Sequence, residues 1–285
     1  MTNLNRVTIP MFEHDEEGAI LPNPVFHRSW DKLHSRTIEY PFTAAQLGDA
    51  QKILDVGSVK GGQVWTDWLE SLPLEVHVTD YDGDDEGIFK KSQFYQADVR
   101  ELPMDTNVYD KVLAVSVIEH IGMGRPQVVD ANLPQTEQSG DVAAFKELLR
   151  VLKPGGQIVM TFPFGTVEGA VRDAARIYTY HAIQRFNALA TPVVLDYYEY
   201  QYNVKKALYI EFPKPLPKWQ QRVGNKVKSR LKARAKSAVT HERTQPRHFG
   251  LVTWRRIPIE EAQATNQLSH IDGVLCGVWQ KEGNA

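Results

Sequence analysis

The residues of this chain best suited to chemistry begin between Lys52 and Gly62, where a short apolar run leads into a glycine-rich turn. The run favours a buried parallel strand, and Asp55 lies within it. Gly57 and Gly61 follow at positions where glycine permits φ > 0 and lets the backbone approach a ligand closely. Such a turn can hold a cofactor at the end of a strand.

Two further acids end the next two apolar runs. Asp80 closes the run Val76–Asp80, 25 positions after Asp55, where a carboxylate can accept both hydroxyls of a ribose. Asp98 follows the run that begins at Phe94, and its carboxylate can face the amino group of an adenine. Because the carboxyl ends of parallel strands meet at one edge of a sheet, these acids are expected to outline a nucleoside pocket.

The elements that must position these residues alternate between strands and helices. A buried-type strand begins at Tyr109 and runs into the polar residues Glu119 and His120. A helix is then expected to end at Leu152–Gly156, before another strand, Gln157–Phe162. Further along, helical spacing predicts a helix over 174–186, and the strands Pro192–Tyr200 and Gly273–Gln280 complete the set.

In this order, the motifs resemble the class I S-adenosylmethionine-dependent methyltransferases, of the type 11 kind, over roughly residues 40–165. The resemblance implies an α/β, Rossmann-like fold with a seven-stranded, mostly parallel sheet in the order 3-2-1-4-5-7-6, an antiparallel last strand and helices on both faces. Val59 departs from the family pattern, which has glycine there. The resemblance also implies S-adenosylmethionine as cofactor, contacted by Asp55, Gly57, Ser58, Gly61, Asp80, Tyr81, Asp98, Val99, Ser116 and Arg36.

The chain is expected to comprise an N-terminal segment, residues 1–45, and a methyltransferase domain, residues 46–285, with a basic insertion at about 203–272. In related methyltransferases a segment such as Trp30–Tyr40 folds over the cofactor as a lid. That arrangement would place Arg36 or Tyr40 beside the carboxylate or the adenosine. The alternative is a surface helix whose aromatic residues only pack.

The end of the fourth strand is the candidate catalytic centre. Methyl transfer to a hydroxyl requires an aligned acceptor and removal of its proton. His120 suits the role of base, since imidazole titrates near neutrality, and its alternative role is to hydrogen-bond a loop or a helix end. Some class I O-methyltransferases carry Glu-x-x-Glu-His here and bind a divalent ion. That partial resemblance, which has Ser116 in place of the first glutamate, implies a Mg²⁺ site formed by Glu119, His120 and His181.

The acceptor is predicted to be a saccharide or another small polar molecule that is methylated on a hydroxyl. The stretch Ser116–Arg125 is similar to bacterial methyltransferases of saccharide and natural-product biosynthesis. Four tyrosines could stack on sugar rings or simply pack in a strand: Tyr197, Tyr198, Tyr200 and Tyr202. The motif Asn/Asp-Pro-Pro-Tyr of amino-methylating enzymes is absent after the fourth strand, and the single cysteine, Cys276, lies far from the position of a pyrimidine-methylating nucleophile.

Composition and charge limit the other classes. The formal charge of −2 predicts no global attraction to nucleic acid, and a single cysteine fits a reducing compartment. No apolar run is long enough for a signal sequence or a membrane span, which predicts a soluble, cytoplasmic protein. The basic segment 214–236 suits an anionic partner: RNA, a membrane surface that carries the acceptor, or a phosphorylated substrate. Its ordinary alternative is an amphipathic helix with solvated lysines.

Overall fold

The computed structural model describes residues 12–14, 16, 18–21, 23–26, 35–123, 139–165, 168–171, 175–202, 252–263 and 273–283. The strands are β1 (Lys52–Val56), β2 (Glu75–Asp80), β3 (Gln93–Gln96), β4 (Tyr109–Val115), β5 (Leu152–Phe164), β6 (Gly169–Val171), β7 (Ala175–Ile177), β8 (Thr191–Tyr202), β9 (Val252–Ile257) and β10 (Gly273–Gln280). The helices are α1 (Arg36–Ala45), α2 (Gln63–Ser71), α3 (Gly140–Val151), α4 (Gln184–Asn187) and α5 (Ile259–Gln263), with a 3₁₀ turn at Ile118–His120.

Eight strands form one sheet in the order β3-β2-β1-β4-β5-β10-β8-β9. The strands from β3 to β5 are parallel, and β10 is antiparallel to both β5 and β8. The predicted α/β, Rossmann-like class is confirmed, and its order 3-2-1-4-5-7-6 is recovered with β8 as the sixth strand and β10 as the seventh. The difference is the eighth strand, β9, which pairs antiparallel with β8 at the edge, within the predicted insertion.

Helices cover both faces of the sheet and enclose two apolar cores. On one face, α1 and α2 pack through side chains such as Ile38, Phe42 and Trp65, each at most 1% exposed. On the other face, α3 contributes Phe145 and Leu148, which are fully buried. Because β1, β4 and β5 are buried between these layers, their sequences are nearly continuous apolar runs rather than alternating ones.

The helix predicted over 174–186 is wrong. Residues 175–177 form β7, which pairs with β6 in a two-stranded hairpin, and a helix occupies only Gln184–Asn187. The cause is tertiary: the backbone N–H of Tyr178 donates to the carbonyl of Pro163 at the end of β5, and Gly165 donates back to Tyr178. These bonds extend the chain where local spacing alone favours a helix.

Two of the four tyrosines of the predicted platform, Tyr197 and Tyr198, are buried rather than available to a sugar. β8 lies between β10 and β9, and Tyr197 and Tyr198 on it are each 1% exposed. Their rings face opposite cores, Tyr197 against Phe164 and Tyr198 against Phe12, so these two tyrosines pack.

The predicted basic helix, 214–236, lies outside the described residues, so the anionic partners proposed for it stay predictions. Across the part of the chain that the structure describes, none of the helices combines the length and the apolar composition that crossing a bilayer requires.

Candidate functional site

The centre of the site is the point where the sheet order reverses. β1 lies between β2 and β4, so the chain turns to opposite sides after consecutive strands, and ligands of such sheets bind at the carboxyl ends of the strands there. Gly57 comes directly after β1 and Ser116 directly after β4, and their φ angles are positive, +79° and +50°. A Cβ on Gly57 would lie 2.5 Å from a methyl group of Val117, so only glycine fits. A serine at positive φ is unusual and often marks a functional site.

Asp55 organises the glycine turn from inside. Its carboxylate is fully buried, and it accepts hydrogen bonds from the hydroxyl of Ser58 and from the indole N–H of Trp65 at 3.2 Å. The N–H of Gly61 donates to the carbonyl of Ser58 at 2.9 Å, which closes the turn before α2. Burial raises the pKa of Asp55 to about 7, although these two donors act in the opposite direction.

The raised pKa of Asp55 predicts a specific pH dependence of stability. Between the ordinary aspartate pKa near 4 and about 7, the folded chain holds a proton at Asp55 that the unfolded chain has released, so this group makes the free energy of unfolding fall as pH rises. Asp55→Asn should remove that dependence. We expect the stability of the wild type relative to Asp55→Asn to drop by roughly 4 kcal/mol between pH 4 and pH 8. Urea denaturation at both values measures it, and parallel curves for the two proteins would contradict it.

Asp80 ends β2, and Asp98 follows the neighbouring strand, β3. The carboxylate of Asp80 is 8% exposed and accepts the N–H groups of Val59 and Asp82, each at 3.0 Å, so it joins the glycine turn to the loop after β2. The carbonyl of Asp80 accepts the N–H of Ala97 at 2.9 Å, which places the next residue, Asp98, beside the same strand end. The carboxylate of Asp98 is held by the guanidinium of Arg100, with Nη2 at 2.6 Å.

The neighbours of these acids occupy different environments. Tyr81 follows Asp80 and is 46% exposed, whereas Val99 follows Asp98 and is buried in the core. Their predicted contacts with the cofactor stay predictions.

Glu39 ties α1 to the ends of β4 and β5. It is fully buried, and its carboxylate accepts bonds from Ser35 at 2.9 Å and Thr161 at 3.1 Å, and from the hydroxyl of Ser116 and the guanidinium of Arg36. Burial alone would raise the pKa of Glu39, but the charge of Arg36 and these hydrogen bonds lower it. The cofactor candidates Ser116 and Arg36 are therefore brought together through a residue that sequence reasoning missed.

Tyr40 and its neighbours settle how α1 is placed. The Tyr40 ring stacks on Trp65 at 4.7 Å, and its hydroxyl accepts the N–H of Gly62 at 3.1 Å. Residues 37–44 of α1 are all buried. In the described part of the N-terminal segment, α1 thus packs on the sheet and supports the glycine turn from behind.

Glu119 and His120 lie in the 3₁₀ turn after β4. The side chain of Glu119 is 2% exposed, and His120 Nε2 lies 3.8 Å from its Oε1. Within the described residues, Glu119 Oε2 has no hydrogen-bond partner although it is buried. Burial raises the pKa of Glu119 to about 8, and the nearby charge of Glu39 adds to this increase. A buried carboxyl with an unmet hydrogen-bond requirement is suited to a polar ligand.

The proposed metal ligands do not come together. His181 is exposed and its ring lies 5.5 Å from that of Tyr180. Over the described ranges, no group of three or more His, Cys, Asp or Glu side chains is arranged to hold a metal ion, so Glu119, His120 and His181 do not fit a Mg²⁺ site.

Glu39 left one signal in the sequence. It is an acid between Ile38 and Tyr40 in a segment whose other residues are largely apolar, and an acid on the buried face of a helix requires partners. The identity of those partners, Ser116 and Thr161, carries no local signal because they are 77 and 122 residues away.

The arrangement fits an adenosyl donor. Gly57 follows β1, Asp80 ends β2 and is nearly buried, and Asp98 follows β3. This order along the sheet edge matches the order of the methionine, ribose and adenine parts of such a donor. An ionised carboxylate can accept about four hydrogen bonds, so the loop contacts of Asp80 are compatible with bonds from ribose hydroxyls.

Comparisons with known proteins agree with this geometry. Residues 54–160 match the family model described as a methyltransferase domain. The chain is similar to the ubiquinone/menaquinone biosynthesis C-methyltransferase UbiE from two strains of Coxiella burnetii, with 28% and 32% identity over 198 residues, or 63% of this chain and 65% of the relative. It therefore spans just under two thirds of the length of these curated relatives.

The chain is also similar to two solved structures. The 1,6-didemethyltoxoflavin-N1-methyltransferase of Burkholderia thailandensis has 13% identity and a TM-score of 0.48, with 89% of this chain and 80% of that chain covered. The [4+2]-cyclase SpnF has 14% identity and a TM-score of 0.47, with 91% and 84% covered.

Proposed function

We propose that this chain, whose residues 54–160 match a family model of a methyltransferase domain, transfers a methyl group from S-adenosylmethionine to a hydroxyl of a saccharide or another small polar acceptor. The proposal is supported by the places of Gly57, Asp80 and Asp98 at the carboxyl ends of three adjacent parallel strands, β1, β2 and β3. When bound, S-adenosylmethionine would supply a sulfonium methyl group for in-line attack by the acceptor oxygen, with the thioether of S-adenosylhomocysteine as the leaving group.

The residues of this chain have distinct roles in the proposal. Asp80 binds the ribose hydroxyls, Asp98 accepts from the adenine amino group, and the turn at Gly57 approaches the methionine part. His120, whose side chain is 45% exposed, takes the proton of the acceptor hydroxyl as the new C–O bond forms. Glu119 lies beside the ring and, when ionised, stabilises the imidazolium by Coulomb attraction.

His120→Ala is expected to lower kcat about 100-fold or more, because a positioned base contributes roughly 10²–10⁴ to proton transfer. Affinity for S-adenosylhomocysteine should stay within about twofold, since His120 is not among the proposed donor contacts. The measurements are a methyl-transfer assay and calorimetry, with the exposed His181→Ala as control. Full activity of His120→Ala would refute its role as base.

The acceptor is identified by a turnover screen with labelled S-adenosylmethionine over saccharide, phenolic and quinol-type acceptors. We expect transfer to oxygen, with the same rate in chelator as in Mg²⁺, because Glu119, His120 and His181 do not fit a metal site. Loss of activity in chelator would overturn this expectation.

Carbon methylation is the second candidate. It is supported by the two relatives at 28% and 32% identity, whose name describes a C-methyltransferase. Mass spectrometry of the product separates the candidates, because an O-methyl ether loses its label on ether cleavage and a C-methyl group retains it.

A further inference from the structure

The turn that carries Glu119 and His120 is held by two elements outside the strand that leads into it. On one side it meets the start of α3: a Cβ on Gly140 would lie 2.9 Å from the carbonyl oxygen of Ile121 and 3.0 Å from Gly122. Glycine at position 140 therefore permits a backbone approach that any other residue would obstruct. This contact fixes the turn from the helix side.

On the other side, Arg176 reaches the turn from the β6–β7 hairpin. Its Nη1 donates to the carbonyl oxygen of Ile121 and lies 3.5 Å from that of Glu119. The carbonyls at the end of a short helix have no partner within the helix, and a single Nη of a guanidinium, which carries two N–H groups, can donate to two of them. The side chain of Arg176 is only 11% exposed, so these contacts are formed away from bulk water.

Asp141 holds Arg176 in place from behind. Its carboxylate is fully buried and lies 4.0 Å from Arg176 Nε. The same Oδ2 accepts the hydroxyl of Tyr178 at 2.9 Å and Nη1 of Arg185 at 3.3 Å. Two guanidiniums thus share one carboxylate, but they differ in what else they contact. Arg176 bonds the 3₁₀ turn, whereas the described contacts of Arg185 are with Asp141, Glu168, the carbonyl of Ala182 and the ring of Tyr178.

We propose that Arg176 is a positioning residue for the reaction: from the β6–β7 hairpin it fixes the 3₁₀ turn so that His120 and Glu119 face the acceptor. The proposal rests on the proposed methyl transfer for its rate effect, but the position of His120 can be measured without turnover. It assigns a role to the hairpin, since β7 carries this contact and packs on the turn rather than on the main sheet alone.

Arg176→Met retains the apolar part of the side chain and removes the guanidinium that contacts the turn. A shift of about 1 Å in a catalytic group can cost on the order of 100-fold in rate, so kcat is expected to fall roughly 10- to 100-fold. The KM for S-adenosylmethionine and the affinity for S-adenosylhomocysteine should change by less than about twofold, because the glycine turn, Asp80 and Asp98 belong to other strand ends. Arg176→Lys, which retains the positive charge but not the guanidinium, should recover only part of the rate.

The matched control is Arg185→Met, which removes the other guanidinium from Asp141 and leaves the bonds to the turn. Its kcat is expected to stay within about threefold of the wild type. An equal fall in kcat for both variants would overturn the proposal, because the effect would then come from the Asp141 cluster rather than from the turn. A parallel loss of S-adenosylhomocysteine affinity in Arg176→Met would overturn it as well.

A readout independent of activity is the ring resonance of His120 in protein labelled at histidine, assigned with His120→Gln. We expect that resonance to move in Arg176→Met and to stay in place in Arg185→Met. An unchanged His120 resonance in Arg176→Met would refute the positioning role even if no acceptor is found. Failure of the wild type to bind S-adenosylhomocysteine would instead refute the proposed function and leave this comparison intact.

Discussion

Asp80→Ala is expected to weaken binding of S-adenosylhomocysteine about 100-fold or more. Two hydrogen bonds from ribose hydroxyls to an ionised carboxylate contribute roughly 1.5–3 kcal/mol each, and about 3 kcal/mol in total corresponds to a hundredfold change in Kd. The variant also releases the N–H groups of Val59 and Asp82 that Asp80 now orders, which adds to the loss. Isothermal titration calorimetry measures the effect.

Two further variants separate these contributions. Asp80→Asn retains one acceptor oxygen for the loop but loses the charge, so its affinity should lie between those of the wild type and Asp80→Ala. Asp82→Ala is the matched control on the same loop, because its carboxylate pairs with the largely exposed Lys60 and its backbone N–H remains. We expect less than about threefold change for that control. Affinity of Asp80→Ala equal to that of the wild type would remove the ribose role.

Glu39→Gln is expected to lower the free energy of unfolding by about 3–5 kcal/mol, the range measured when one partner of a buried ion pair is removed. Glutamine can still accept from Ser116 and Thr161 through one oxygen. Its amide nitrogen, however, presents donors to Arg36, which has no acceptor, and the substitution leaves the guanidinium without its buried carboxylate. Urea denaturation gives the difference in free energy.

The control for Glu39 is a less buried pair with the same spacing on α3. Glu147 and Arg150 form an i,i+3 ion pair like that of Arg36 and Glu39, but the Glu147 side chain is 14% exposed and that of Arg150 is 35% exposed, whereas that of Glu39 is 1% exposed. Glu147→Gln should cost about 1 kcal/mol, because the pair is partly solvated and the amide oxygen can still accept the N–H of Leu102. Equal costs for the two variants would show that burial of Glu39 is unimportant.

Glu39 also links stability to the site. Its carboxylate holds Ser116, the residue with positive φ at the end of β4, and its charge contributes to the raised pKa of Glu119. In Glu39→Gln, Arg36 no longer shares its charge with a second carboxylate, so the pKa of Glu119 should fall from about 8. Helix α1 thus influences the electrostatics of the 3₁₀ turn at Ile118–His120 as well as packing on the sheet.

The sequence by itself determined the fold class and the order of the motifs. Each signal is local: the apolar run at Ile53–Val56 predicts a buried strand, Gly57 predicts a turn with positive φ, and Asp80 ends the next strand. Parallel strands place their carboxyl ends along one edge of a sheet. Local strand predictions and their order were therefore sufficient to predict that Asp80 and Asp98 lie at the ends of strands on the same edge.

Only the tertiary structure decided which side chains contact one another at the ends of β4 and β5 and at the 3₁₀ turn that follows β4. Glu39 meets Thr161 across 122 residues, and Arg176 reaches Ile121 across 55, so no local pattern records either contact. The same holds for the β6–β7 hairpin, where pairing with the end of β5 overrides helical spacing, and for the added edge strand β9. The physical reason is that burial and long-range hydrogen bonding depend on the whole packed fold, whereas strand and turn preferences depend on neighbouring residues.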